Sequence, residues 1–315
     1  MPIRNVGTFL ENLVVVEVAL SLLERCRSDG APLDFINSFA MPPLTPWCWH
    51  SQQSGFDAGT LERVIEETEP TSLQGYAGLL RANLRKDKNR GPNAALLLAG
   101  ASLQKGVHCR MWLNDIRDGH YGDAIPELEQ IESCAQNVYG SDAAGKGRLT
   151  VRVSDVAYPG SIEKLADVLR DSQPCARLAF LDPMGYRIRR PRPYQTSSSD
   201  HRRWLTELAF DGLTCAAHFT GNSRQPTLCR ELHSLHQDAV YAGYAVSRAF
   251  KRQHYVLFLA VHSPREEEAE RVASEIEVAI QSAWVRWGND FARRGRRDWM
   301  LKIYRGGRDG IELVE

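Results

Sequence analysis

Apolar residues recur at helical spacing near the start of the chain, where Phe9, Leu13, Val16, Leu20 and Leu23 predict a helix over 8–26 that stops at Asp29-Gly30. Leu33 to Phe39 is short and apolar between turn residues and predicts a strand. Helical patterns follow at about 58–68 and 73–85, and Pro92-Asn93 introduces a further apolar helix from Ala94 to Leu103. From there the pattern alternates. Val107 to Leu113, Arg148 to Val153, Cys175 to Leu181 and Leu213 to Phe219 read as strands, and helical patterns at about 123–134, 161–170, 199–210 and 226–241 lie between and after them. Strands alternating with helices of this length are the signature of βαβ units and a parallel sheet.

The last third changes rhythm. Tyr244 to Phe250 and Tyr255 to Val261 are separated only by Lys251 to His254, too little for a crossover helix, so they predict an antiparallel hairpin. A long helix is expected from about Arg265 to Trp287, with an edge strand near Trp299 to Tyr304 and a terminal turn at Gly306 to Gly310. The expected architecture is Rossmann-like α/β: a mostly parallel sheet with helices on both faces and a C-terminal antiparallel hairpin. Residues 1–315 are expected to form one such domain, with a helical insertion at about 40–92 and a helix and edge extension at about 265–315.

Composition adds bounds. At 315 residues with 43% hydrophobic and 25% charged positions, the chain can bury a full core. No apolar run approaches the roughly 18 residues that span a bilayer, and Met-Pro-Ile-Arg lacks the flank of a secretory signal, so a cytoplasmic protein with no membrane partner is expected. The seven cysteines are odd in number, scattered and often in apolar settings, which suits reduced thiols. None forms a CxxC pair, and no metal is assigned. The formal charge is zero, yet Arg81 to Arg90, Arg187 to Arg192 and Arg293 to Arg297 form basic clusters. A neutral total argues against an obligate nucleic-acid coat, while the clusters leave phosphate binding open.

Three acids stand at the carboxyl ends of predicted strands: Asp115, Asp155 and Asp182. In an open parallel sheet ligands bind at that edge, where a carboxylate accepts hydrogen bonds from a ribose or an amine. The same residues also end strands and cap helices for purely structural reasons. The sharpest local feature is Phe180-Leu181-Asp182-Pro183-Met184-Gly185-Tyr186, an apolar strand delivering a carboxylate, a turn and an aromatic ring. Arg187, Arg189, Arg190 and Arg192 follow directly and are candidate nucleic-acid phosphate contacts.

With Asn37-Ser38-Phe39-Ala40-Met41-Pro42-Pro43, then Gly91-Pro92-Asn93, then Asp182-Pro183-Met184-Gly185-Tyr186, the order of features resembles class I S-adenosylmethionine-dependent methyltransferases. Among these it is most similar to the three-Cys-motif partner proteins and the related 23S rRNA adenine-N6 methyltransferases. The resemblance implies methyl transfer to a nucleic-acid base amine. Asp182 and the Pro183 carbonyl would orient the amine, Tyr186 would stack on the base, and Asn37, Ala40, Asp115 and Asp155 would hold S-adenosylmethionine. Met41, Pro42 and Pro43 depart from it, because the family has glycines there and prolines donate no N–H. The alternative is a protein that keeps the fold without catalysis, serving as a subunit or nucleic-acid-binding module of a multi-protein system.

Overall fold

The computed structural model describes residues 6–38, 40–46, 74–87, 89–115, 124–140, 147–155, 169, 173–181, 212–220, 241–249, 253–283, 300–307 and 310–314. Helices α1 (Val6–Asp29), α2 (Gln74–Lys86), α3 (Ala94–Lys105), α4 (Ile125–Glu129), α5 (Ile131–Tyr139) and α6 (Glu266–Ala283) accompany eleven strands among these residues. The strands are β1 (Leu33–Asn37), β2 (Leu44–Pro46), β3 (Arg90–Pro92), β4 (His108–Asn114), β5 (Arg148–Ser154), β6 (Ala176–Leu181), β7 (Leu213–Thr220), β8 (Tyr241–Ala249), β9 (Gln253–His262), β10 (Met300–Gly307) and β11 (Gly310–Val314).

Nine strands form one sheet in the order β11-β10-β8-β9-β7-β6-β1-β4-β5. The half from β7 to β5 is parallel throughout, and the direction of travel across the sheet reverses between β1 and β6. The other half is antiparallel. Beside β7 lies β9, which pairs with β8 as the predicted hairpin, and β10 and β11 extend the sheet from β8. The Rossmann-like reading therefore stands, and the sheet runs further than the pattern foretold. Gly307 pairs with Gly310, so the last two glycines of the expected terminal turn lie in an antiparallel β10–β11 pair whose second strand, β11, the sequence reading lacked.

Local chemistry explains several boundaries. Gly30 follows α1 at φ +64° and Gly106 follows α3 at φ +71°, the left-handed conformation that ends a helix at low cost only for a residue without a Cβ. Asn93 caps α3, its side-chain oxygen accepting from the Leu96 N–H at 2.8 Å. The expected helix at 123–134 is broken into α4 and α5, with Gln130 between them. Of the segments expected as helices at 58–68, 161–170, 199–210 and 226–241, the first and third lie outside the described residues, the second is represented by helical Leu169, and the fourth by Tyr241, which opens β8.

Alternation along the strands gives the sheet two different faces. Leu33, Phe35, Cys109, Met111, Leu113, Leu178, Phe180, Cys215 and Ala217 point to one side and join α1, α2, α3, α5 and α6 in the hydrophobic core. The other side carries Asp34, Arg110 and Arg177 in register on β1, β4 and β6, among buried Ile36, Trp112, Ala179 and Ala216. Among the described residues no helix is long and apolar enough to cross a membrane.

Candidate functional site

The parallel strands end together. Asn37 at the end of β1 lies level with Leu113, and Leu113 lies level with Val153, so the residues that follow β4 and β5 continue past the same edge. Asn114 joins them: its amide donates to the Ser38 carbonyl at 3.2 Å, and its side-chain oxygen accepts from the Ser154 hydroxyl at 2.6 Å. The Asp115 N–H donates to the Ser154 carbonyl at 3.1 Å, and the Ser38 N–H to the Phe180 carbonyl at 3.1 Å. Four strand ends are thereby held at the point where the order of the sheet reverses, the place where open α/β sheets bind ligands.

The loop after β1 is held just as firmly. The Ala40 N–H donates to the Asn114 carbonyl at 2.8 Å. The Asn93 side-chain amide donates to the carbonyls of Ala40 and Met41 at 2.7 and 3.1 Å, and its own N–H donates to the Pro43 carbonyl at 2.9 Å. One asparagine thus caps a helix and ties down a loop 50 residues earlier in the chain. Between these bonds Met41 adopts φ +58°, a left-handed conformation suited to glycine, with its side chain buried. A non-glycine residue there costs about 1 kcal/mol, and it persists because its flanks are fixed. Next in the chain, β2 pairs with β3, so the segment expected as an insertion begins and ends at a two-stranded ladder.

Of the residues singled out from sequence, the structure brings Asn37, Ala40, Asp115 and Asp155 to this edge, with Asn37, Ala40 and Asp115 buried and Asp155 exposed. Asp182, Pro183, Tyr186, Arg187, Arg189, Arg190 and Arg192 lie outside the described residues; β6 ends at Leu181, one residue before Asp182. The sequence reading assigned chemistry to Asp115 and passed over its neighbour Asn114, which does the joining. A paired Asn-Asp at a strand end was the available signal. Among the described residues no group of three or more His, Cys, Asp or Glu side chains is placed to hold a metal ion.

Deeper in the sheet lies a charged cluster that the sequence reading missed. The Arg110 Nε donates to Asp34 at 2.6 Å, and the Arg177 Nε stands 3.6 Å from the other Asp34 oxygen. The Asp34 side chain is 0% exposed, Arg177 3% and Arg110 22%. Arg177 also donates to the Leu169 carbonyl at 2.7 Å. Burial pushes the Arg177 guanidinium below its ordinary value, against the pull of Asp34. The polar residue inside each of Leu33-Asp34-Phe35, Cys109-Arg110-Met111 and Ala176-Arg177-Leu178 was the visible sign.

Comparison with solved structures places this fold beside protein LPL1258 from Legionella pneumophila str. Philadelphia 1, of the DUF519 family, with a TM-score of 0.55, 12% identity, and coverage of 94% of this chain and 97% of that one. A probable spermidine synthase from Corynebacterium glutamicum aligns with a TM-score of 0.35 and 13% identity over 84% of this chain and 70% of that one, below the range of a shared fold. No family model and no curated protein matches the chain.

Proposed function

We propose that this protein is an S-adenosylmethionine-dependent methyltransferase-like protein that acts on a nucleic-acid base amine. The sheet order is the observation that supports it most. The parallel strands run third-second-first-fourth-fifth, with Asn37 beside the reversal and Asp115 and Asp155 at the carboxyl ends of the next two strands, and the antiparallel β9 stands beside β7 where a dinucleotide-binding sheet continues with a sixth parallel strand. This is the arrangement of acid-ended strands and terminal hairpin on which the resemblance to class I methyltransferases rests.

In this reading Asp115 accepts hydrogen bonds from the ribose hydroxyls and Asp155 lies near the adenine amine, while Asp182, the Pro183 carbonyl and Tyr186 position the base that is to be modified. S-adenosylmethionine supplies the methyl group when bound. Asp115 and Asp155, at the ends of β4 and β5, are the groups that would accept from this cofactor. The loop half differs, because Pro42 and Pro43 have no N–H and the Ala40 N–H is already given to Asn114.

That loop favours a second reading, in which the fold serves as a non-catalytic subunit or nucleic-acid-binding module of a larger complex. Isothermal titration with S-adenosylmethionine and S-adenosylhomocysteine separates the two. Micromolar binding that weakens at least tenfold in Asp115→Ala and in the exposed-site variant Asp155→Ala supports the enzyme. Absence of binding by the unmodified protein sinks it in favour of the subunit.

A further inference from the structure

On the charged side of the sheet, β5, the outermost strand at this end among the described residues, carries Arg148, Thr150 and Arg152 in a row. Both arginines are exposed. Among the described residues their guanidinium groups enter no ion pair and no hydrogen bond. On the adjacent strand, His108 lies level with Arg148 and Arg110 with Thr150, and a His108 ring nitrogen stands 3.0 Å from the Thr150 hydroxyl. Burial, and then the positive charges of Arg148 and Arg110, hold the His108 imidazole below its ordinary value, with Asp34 opposing them. Arg110 lies over the Trp112 ring at 5.9 Å and directs its Nε to Asp34, a carboxylate already shared with Arg177. Among the described residues one acid faces these two guanidiniums, and no ion pair of the β5 arginines stands beside them.

We infer that the β5 row of Arg148, Thr150 and Arg152 is a contact surface for the phosphate backbone of a nucleic acid, leading it along the strand to the candidate site. Four residues of strand separate the two arginines by about 13 Å, so a small anion cannot bridge them, whereas a phosphodiester chain presents charges along its whole length. The fork of each guanidinium suits a phosphate, while the Thr150 hydroxyl between them is engaged with His108. Direction matters as well: β5 runs from Arg148 to Ser154 and on to Asp155, at the edge where Asn114 gathers the strand ends. The inference takes its ligand class from the nucleic-acid part of the proposed function and does not depend on methyl transfer.

Fluorescence anisotropy with a labelled 30-nucleotide single strand, titrated with salt, tests the surface. The comparison uses an Arg148→Gln/Arg152→Gln double variant and a charge-matched control, Arg27→Gln/Arg271→Gln, at exposed positions on α1 and α6. The β5 variant is expected to bind about tenfold more weakly at low salt. Its slope of log affinity against log salt should fall by about 1.4, two contacts at about 0.7 each, while the control keeps the original slope. A β5 variant indistinguishable from the control reduces the arginines to charges that guard an edge strand and overturns the inference, as does an unmodified protein that does not bind the oligonucleotide. Arginine-dependent binding without affinity for S-adenosylmethionine would refute the methyltransferase reading alone; cofactor binding with a silent β5 variant would refute the contact surface alone.

Discussion

Asp34 and Phe35 are neighbours on one strand and belong to two different kinds of interior. Phe35 enters a continuous apolar core under α1 and α3, where contacts are made by volume and shape. Asp34 enters a setting where one carboxylate is matched to two arginines from the strands on either side, and matching depends on charge. Both side chains are fully buried. Burial therefore says little by itself about what a position tolerates: the core side asks for the right amount of hydrocarbon, and the charged side asks for a particular ion.

Conservative substitutions of nearly equal volume break or sharpen this contrast. Asp34→Asn removes the carboxylate charge that the nearly enclosed Arg177 and Arg110 both face, which should destabilise the protein by about 3–5 kcal/mol in urea unfolding. Leu178→Met, on the core side of the strand that carries Arg177, should cost less than about 1.5 kcal/mol in the same assay. Equal losses for the two would mean that the charged side is held by packing as well.

Glu17 is the instructive exception on the helix side. Burial raises its carboxyl from 4.5 to about 7, a backbone hydrogen bond from Tyr76 pulls the other way, and no cation is among the causes. A raised folded value means that its contribution to stability is fully present below about pH 4.5 and is lost as pH climbs through 7. Glu17→Gln should match the unmodified protein near pH 4.5 and exceed it by up to about 3 kcal/mol at pH 8, read from denaturant midpoints at the two pH values. A difference that does not change with pH would remove the contrast between a carboxylate with arginines and one without.

A further, modest effect probes the packing itself. A Cβ at Gly100 would stand 2.4 Å from the fully buried Tyr139 ring, so α3 and α5 approach more closely there than any side chain permits. Gly100→Ala should lower the melting temperature by the equivalent of about 1–2 kcal/mol, because overpacking outweighs the roughly 1 kcal/mol gained in helix propensity. A stabilised variant would show that the core side gives way more easily than its burial suggests.

Much of the architecture was legible in the chain. The period of apolar residues located α1, α3, α6 and the core strands of the parallel half, and the four-residue spacing before Tyr255 announced the β8–β9 hairpin. Short elements escaped. Three residues of β2 or β3 carry too little pattern to stand out, and β11 follows a glycine-rich turn that reads equally well as an end. At the candidate site, the acids at strand ends were visible while the roles of Asn93 and Asn114 were not, because an asparagine acts there through carbonyls that only folding brings within reach.

Sequence alone determined the alternation of strand and helix, and with it the two faces of each strand, since a period of two or of 3.6 is a local property of the chain. Tertiary structure decided which strand lies beside which. That choice set Asp34 between Arg110 and Arg177, placed Arg148 and Arg152 on the outermost described strand at one end of the sheet, and closed the Met41 loop beneath Asn93. A hydrogen bond or an ion pair requires two groups within a few ångströms, and for residues as far apart as Met41 and Asn93 or Asp34 and Arg177 only the folded chain supplies that proximity.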